Sequence, residues 1–179
     1  LYNTYLSTAA WGGVVGTPNL WTGRFNNSSS PKVNAIQRDG RQIANNTTTI
    51  AFDGANAPFY LGIHDGASYR FQGDIAELIM YNRDLTAAER NQVESYLAIK
   101  WGIALMGTQA ITYTDSTGTV LWSAAANSAY QNDVAGIGRD DNAGLNQKQS
   151  RSVNSDDLVM IGLGAIATTN ISNTNTFTN

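Results

Sequence analysis

At 179 residues, net charge −3, 14% charged residues and no cysteine, the chain has room for one good core or two small ones. No basic stripe is present, so electrostatic capture of nucleic acid or anionic membrane is not expected. Lack of cysteine excludes a disulfide framework, a thiolate metal site and a cysteine nucleophile, and no apolar run is long enough to span a bilayer.

Polarity comes instead from Asn, Thr, Ser and Gly, the profile of a β-rich secreted protein. Absence of disulfides does not by itself argue against secretion. The chain begins at Leu1 with neither an initiator methionine nor a leader, so it reads as a segment of something longer.

Residues 1–25 carry Trp11, Trp21 and Phe25 between glycine turns at Gly12-Gly13 and Gly16, a pattern of short strands and loops. Asn26 to Pro31 is a polar loop. Val33 to Ile43 alternates around Asp39-Gly40, a dipeptide suited to the positive backbone angles of a tight hairpin. Asn45 to Thr49 reads as a loop, Ile50-Ala51-Phe52 as the start of a strand, and Phe59 to Ile63 as another before a turn at His64-Asp65-Gly66.

The strongest local signal runs from Gly73 to Gly102. Ile75 to Tyr81 is an apolar run that predicts a mostly buried strand. Asn82, Arg83 and Asp84 break it. Thr86 then stands three residues before Glu89, a capping box that predicts a helix over about residues 86–101. Its apolar stripe is Val93, Tyr96, Leu97 and Trp101, and Gly102 is suited to end it in the left-handed conformation.

Gly73, Ile75, Glu77, Tyr81, Asn82, Arg83, Leu85, Thr86 and Glu89 together resemble the last strand and following helix of laminin-G-like, concanavalin A-like lectin domains of large bacterial surface proteins. That resemblance implies an antiparallel jelly-roll sandwich over residues 1–105 and an extracellular role. It does not name a ligand, because one fold hosts many functions.

Beyond the helix, residues 106–119 read as a polar connection, Val120-Leu121-Trp122 as a strand, and Asp133 to Gly138 and Leu158 to Leu163 as two more. Residues 138–157 between them are polar throughout. Trp122, the run Ala135 to Asp141, Leu145-Asn146-Gln147, Lys148, Ser150 and Ile161 to Gly164 resemble a module that follows the lectin-like domain in the same proteins. That module continues past Asn179, so residues 106–179 are expected to form an incomplete second β module. The chain as a whole is then mainly β with one amphipathic helix.

Candidate chemistry is sparse. Asp74 and Glu77 are the obvious carboxylate pair, and a glycosidase needs two on one side about 5–9.5 Å apart. Three residues apart on a strand they point to opposite faces, Glu77 with Ile75, Ile79 and Tyr81. They are expected to be structural. His64 is the only histidine and lacks the surroundings of a triad; with no cysteine, a zinc site is not expected.

Asp133, Asp140, Asp141, Asp156 and Asp157, with Asn132 and Asn142, form the densest oxygen-ligand set. Asp133, Asp140 and Asp141 are the candidate calcium ligands; the alternative is ordinary pairing with Arg139, Lys148 and Arg151. Among the aromatics, Trp11, Trp21, Tyr60, Tyr69 and Trp122 are candidates for stacking on a sugar ring, with Trp21, Tyr60 and Tyr69 put first. Gly136-Ile137-Gly138 lacks the third glycine and helix of a phosphate loop. The reading is an extracellular, non-catalytic adhesion or filament segment, with a glycan or surface-protein ligand as partner. The alternatives are a purely structural repeat that contacts neighbouring domains or chains, and, less favoured, a glycan hydrolase.

Overall fold

The computed structural model describes residues 16–49, 60–64, 68–106, 110–152 and 159–178, without the side chains of residues 48, 64, 68 and 69. The expectations placed on Trp11, Gly12-Gly13, Ile50 to Phe52, Phe59, Asp65-Gly66, Asp156, Asp157 and Leu158 lie outside those residues.

Three strands, β1 (Trp21–Asn26), β2 (Lys32–Arg38) and β3 (Arg41–Thr48), form an antiparallel sheet in that order. The predicted hairpin is present. Asp39 at φ 49° and Gly40 at φ 79° make the two-residue turn between β2 and β3, the left-handed pair that matches strand twist. The turn is docked at both ends. Asp39 exchanges bonds with Leu20, N–H to carbonyl at 2.8 Å and Leu20 N–H to its Oδ1 at 2.7 Å. Its own carbonyl accepts from Met106 N–H at 2.7 Å.

The loop predicted from Asn45 to Thr49 is instead the second half of β3, with Asn45, Asn46, Thr47 and Thr48 paired to Ala35, Asn34, Val33 and Lys32. Backbone pairing to a neighbour does not require apolar side chains where the strand is an exposed edge. Two short strands, β4 (Ile63–His64) and β5 (Ser68–Arg70), form a separate antiparallel pair.

The buried strand predicted from Ile75 to Tyr81 is a correction. Among the described residues this run joins no ladder, and Ile75 is 47% exposed and Met80 63%. Apolar composition selects burial but cannot create the partner strand that burial and pairing both need.

The helix, α1 (Ala87–Trp101), forms as predicted, with both halves of the Thr86–Glu89 capping box made and Gly102 at φ 68° as its cap. Ile103 N–H returns to the Ala98 carbonyl at 2.9 Å, the six-to-one bond of a Schellman ending. The buried face differs from the predicted stripe. It is Glu94, Ser95, Ala98 and Ile99, while Val93, Tyr96 and Leu97 are half-buried and Trp101 is exposed. Ser95 and Ala98 are small enough to admit a neighbouring backbone, and the polar members of the face are hydrogen-bonded. Ser95 Oγ accepts from Thr114 N–H at 3.1 Å, and Glu94 Oε1 accepts from Thr22 Oγ1 at 2.7 Å.

After the helix, β6 (Tyr113–Thr114) pairs with β7 (Val120–Trp122), followed by the short helix α2 (Ala124–Asn127) and a 3-10 segment, Ser128–Asp133. The strand predicted from Asp133 to Gly138 is not formed: residues 134–137 are irregular, and β8 (Gly138–Asp140) only begins at Gly138. The supposedly featureless polar run carries β8, β9 (Leu145–Gln147) and β10 (Gln149–Arg151). β8 pairs with β9, and β10 with β11 (Met160–Gly162). Here Leu145 is the one apolar inward residue beside Gln147, Ser150 and Ser152, so hydrophobic alternation gives little signal.

The described strands thus make one three-stranded and four two-stranded antiparallel sheets. A continuous core joins Leu20, Ala98, Ile99, Ile103, Leu105, Tyr113 and Leu145. Tyr113 is 1% exposed and its hydroxyl accepts from Leu105 N–H at 2.7 Å; burial pushes its pKa up to about 12. Among the described residues no helix is long and apolar enough to cross a membrane.

Candidate functional site

A cleft of about 900 Å³ opens between α1, the segment before it, the β6–β7 hairpin and residues 134–145. Its size lies in the range of ligand sites. Glu77, Ile79 and Tyr81 reach it from one wall, every second residue, so the alternation expected of this run is present although the ladder is not. Asp74 does not line it. Ile99, Tyr113 and Trp122 form part of the inner wall, and Tyr113 meets Trp122 edge-on with ring centroids 5.8 Å apart.

Glu77 is fastened to α1. Its Oε2 accepts from Trp101 Nε1 at 2.9 Å and lies 3.0 Å from Lys100 Nζ, and its Oε1 accepts from the Tyr96 hydroxyl at 3.2 Å. Burial pushes its carboxyl up, but the bonds from Lys100, Trp101 and Tyr96 outweigh it and hold the group below its usual range. Lys100 also lies over the Tyr96 ring, 5.0 Å from its centroid.

The candidate calcium ligands have separate employments. Asp140 Oδ2 accepts from Ser116 N–H at 2.9 Å; its Oδ1 accepts from Ser116 Oγ at 2.8 Å and from the Asn142 and Ala143 N–H groups. These bonds, led by the Ser116 N–H, lower its pKa. Asp141 makes a two-pronged ion pair with Arg139 at 2.6 and 2.8 Å, which lowers its pKa as well. Asp133 accepts from Ser152 Oγ at 2.8 Å. Asp140 and Asp141 line the cleft and Asp133 does not. Among the described residues no group of three or more His, Cys, Asp or Glu side chains is placed to hold a metal.

Of the candidate stacking residues, Trp122 lines the cleft. Trp21 is 40% exposed on β1 and Tyr60 is 47% exposed; neither lines the cleft. Tyr69 is on β5, and its side chain is not described. Tyr81, Tyr96 and Tyr113 are the other aromatic walls.

Asp115 is the cleft residue that composition did not single out. Its Oδ1 accepts from Thr117 Oγ1, Thr117 N–H and Thr119 N–H at 2.7–2.9 Å. The Thr117 hydroxyl leads in lowering its pKa. The sequence Asp115-Ser116-Thr117-Gly118 is the turn chemistry that could have marked it, since aspartate binds the backbone two residues on.

A second hollow of about 520 Å³ lies at the start of α1. Its guanidinium groups are matched by carboxylates. Arg24 pairs with Asp84 at 2.7 and 2.8 Å, Arg83 pairs with Glu89 at 2.7 Å, and Arg90 lies 3.9 Å from Asp84.

No curated protein and no solved structure matches the chain. Residues 89–179, from the first turn of α1 onward, match a protein family described as Domain of unknown function (DUF8202), and the chain belongs to that family.

Proposed function

We propose that this chain is a non-catalytic segment of an extracellular bacterial surface protein, serving adhesion or filament building. In this reading residues 1–105 are a laminin-G-like jelly-roll sandwich and residues 106–179 the start of a second β module. The observation that carries it is the state of the carboxylates in the cleft. Glu77, Asp115, Asp140 and Asp141 are each engaged by the protein's own donors, and those bonds lower the pKa of all four.

A general acid working near neutral pH needs the opposite, a carboxyl raised toward the operating pH. Among the described residues the two carboxyls raised by burial, Asp39 and Glu94, do not line the cleft. Low charge and an Asn/Thr/Ser/Gly-rich composition support the extracellular placement. A glycan ligand is the second reading; it draws on the aromatic walls of the cleft rather than on Trp21 and Tyr60.

The test is a broad polysaccharide and peptide panel incubated with the wild-type chain and with Glu77→Gln. Equal background release from both is the expected result. Glu77-dependent release of sugar or peptide would overturn the reading.

A further inference from the structure

We propose that the cleft docks an extended peptide strand bearing lysine or arginine side chains, supplied by a neighbouring polypeptide. The inference rests on reading the chain as a non-catalytic assembly segment, and it names the partner of that segment's cleft.

Charge is the first argument. Four carboxylates line the cleft, Glu77, Asp115, Asp140 and Asp141, against one guanidinium, Arg139. Lys100 offsets Glu77 from the helix and Arg139 offsets Asp141. Asp115 and Asp140 have no such offset, because their partners are hydroxyls and peptide N–H groups, which stabilise the charge without cancelling it. A chain whose net charge is only −3 therefore concentrates negative potential in this opening, and complementary potential selects a cationic partner.

The second argument is the main chain. Outside the helices and the paired strands, residues 72–84 and 135–137 make no backbone–backbone hydrogen bond to another described residue. Both stretches contribute to the walls of the cleft. Rows of backbone donors and acceptors without a ladder are a template for an added strand. A saccharide would not pair with such rows in register, and it brings no positive charge.

The third argument is the apolar surface between them. Ile79, Tyr81 and Leu121 line the cleft and are 38%, 51% and 55% exposed. In an added strand, alternate apolar residues would cover these side chains while the basic residues between them meet Asp115 and Asp140.

The experiment titrates the full chain by calorimetry and amide NMR with three probes: a peptide of alternating valine and lysine, the same peptide with glutamate for lysine, and an oligosaccharide panel. The lysine peptide is expected to bind about tenfold or more tighter than the glutamate peptide, to move the amide signals of residues 134–142, and to weaken about fivefold between about 0.05 and 0.5 M salt. Asp115→Asn keeps the Oδ1 acceptor its turn uses, so it should weaken the lysine peptide without unfolding the chain. Tyr81→Ser should weaken both peptides.

Equal binding of the two peptides, no binding of either, or an oligosaccharide that moves the same amides would each overturn the proposal. Such a failure, with the chain still detected on the outside of cells, removes this partner and leaves the surface reading standing.

Discussion

Trp101 Nε1 donates to Glu77 Oε2 at 2.9 Å, and this bond fastens the segment before the helix to the helix's last turn. Lys100 and Tyr96 share the same carboxylate. A run with no ladder is therefore held in place by one acidic side chain, and one wall of the cleft depends on it.

Glu77→Gln should lower stability by about 1.5–3 kcal/mol at pH 7, the range for hydrogen bonds to a charged group, and should alter Trp101 fluorescence. The folded-state carboxyl sits below its usual 4.5, so its contribution is present above that value and is lost as pH falls through the folded pKa. Urea titrations of wild type and variant should converge as pH falls below 4.5 and through the folded pKa. A difference that does not narrow at all with falling pH would contradict the role given to the charge.

Glu94 should behave in the opposite sense. Burial raises its carboxyl, and the bond from Thr22 only partly offsets this. A carboxyl raised in the folded state favours folding at low pH and loses that advantage as pH rises through the folded pKa. Glu94→Gln keeps an acceptor for Thr22 without the buried charge, so it should be neutral or stabilising at pH 7. Chemical denaturation at pH 4 and pH 7 checks the crossover; a strong loss at pH 7 would count against it.

The helix start has its own assay. Thr86→Ala removes the side-chain acceptor for Glu89 N–H and should cost about 0.5–2 kcal/mol. Glu89 is held down to about 2, first by Arg83 and then by the two Thr86 bonds. The reciprocal half of the box should therefore weaken only as pH falls from 4.5 toward 2. Hydrogen exchange at the Thr86 amide, the donor of that bond, reports it directly.

The caps and the Asp39-Gly40 turn were legible because each is a local contract between residues close in sequence. The Thr86–Glu89 box and a two-residue turn with positive φ need no knowledge of the rest of the chain. The run Ile75–Tyr81 was not legible as an unpaired segment, since seven residues cannot reveal whether a partner strand lies beside them. The buried face of α1 was misread because its apolar stripe and its closest-packed stripe differ. Ser95 and Glu94 are buried through bonds to Thr114 and Thr22, partners distant in sequence. The strands β9 and β10 hid for the same reason. Apart from Leu145 their inward residues are polar, as is Asn173, which is 1% exposed with its Nδ2 donating to Gln149 Oε1 at 3.2 Å. In the cleft, the alternating Glu77, Ile79 and Tyr81 and the presence of Trp122 could be foreseen; the contact of Trp122 with Tyr113 could not.

The turn at Gly40 offers a test of how the sheet docks on the rest of the molecule. Its φ of 79° suits glycine, and a Cβ there would collide with Ile111 Cδ1 beside Leu105. Gly40→Ala should cost about 1–3 kcal/mol from strain and overpacking together. Leu105→Ala, at a position 1% exposed, should cost about 2–5 kcal/mol. Because the two sites touch, the double variant should lose less than the separate losses combined; strict additivity would argue against this docking.

The central claim, that the chain works on the outside of a bacterial cell, is tested most directly by labelling intact source cells with an antibody raised against it. The account predicts labelling of unbroken cells, abolished by brief external protease treatment. Labelling seen only after lysis would contradict it.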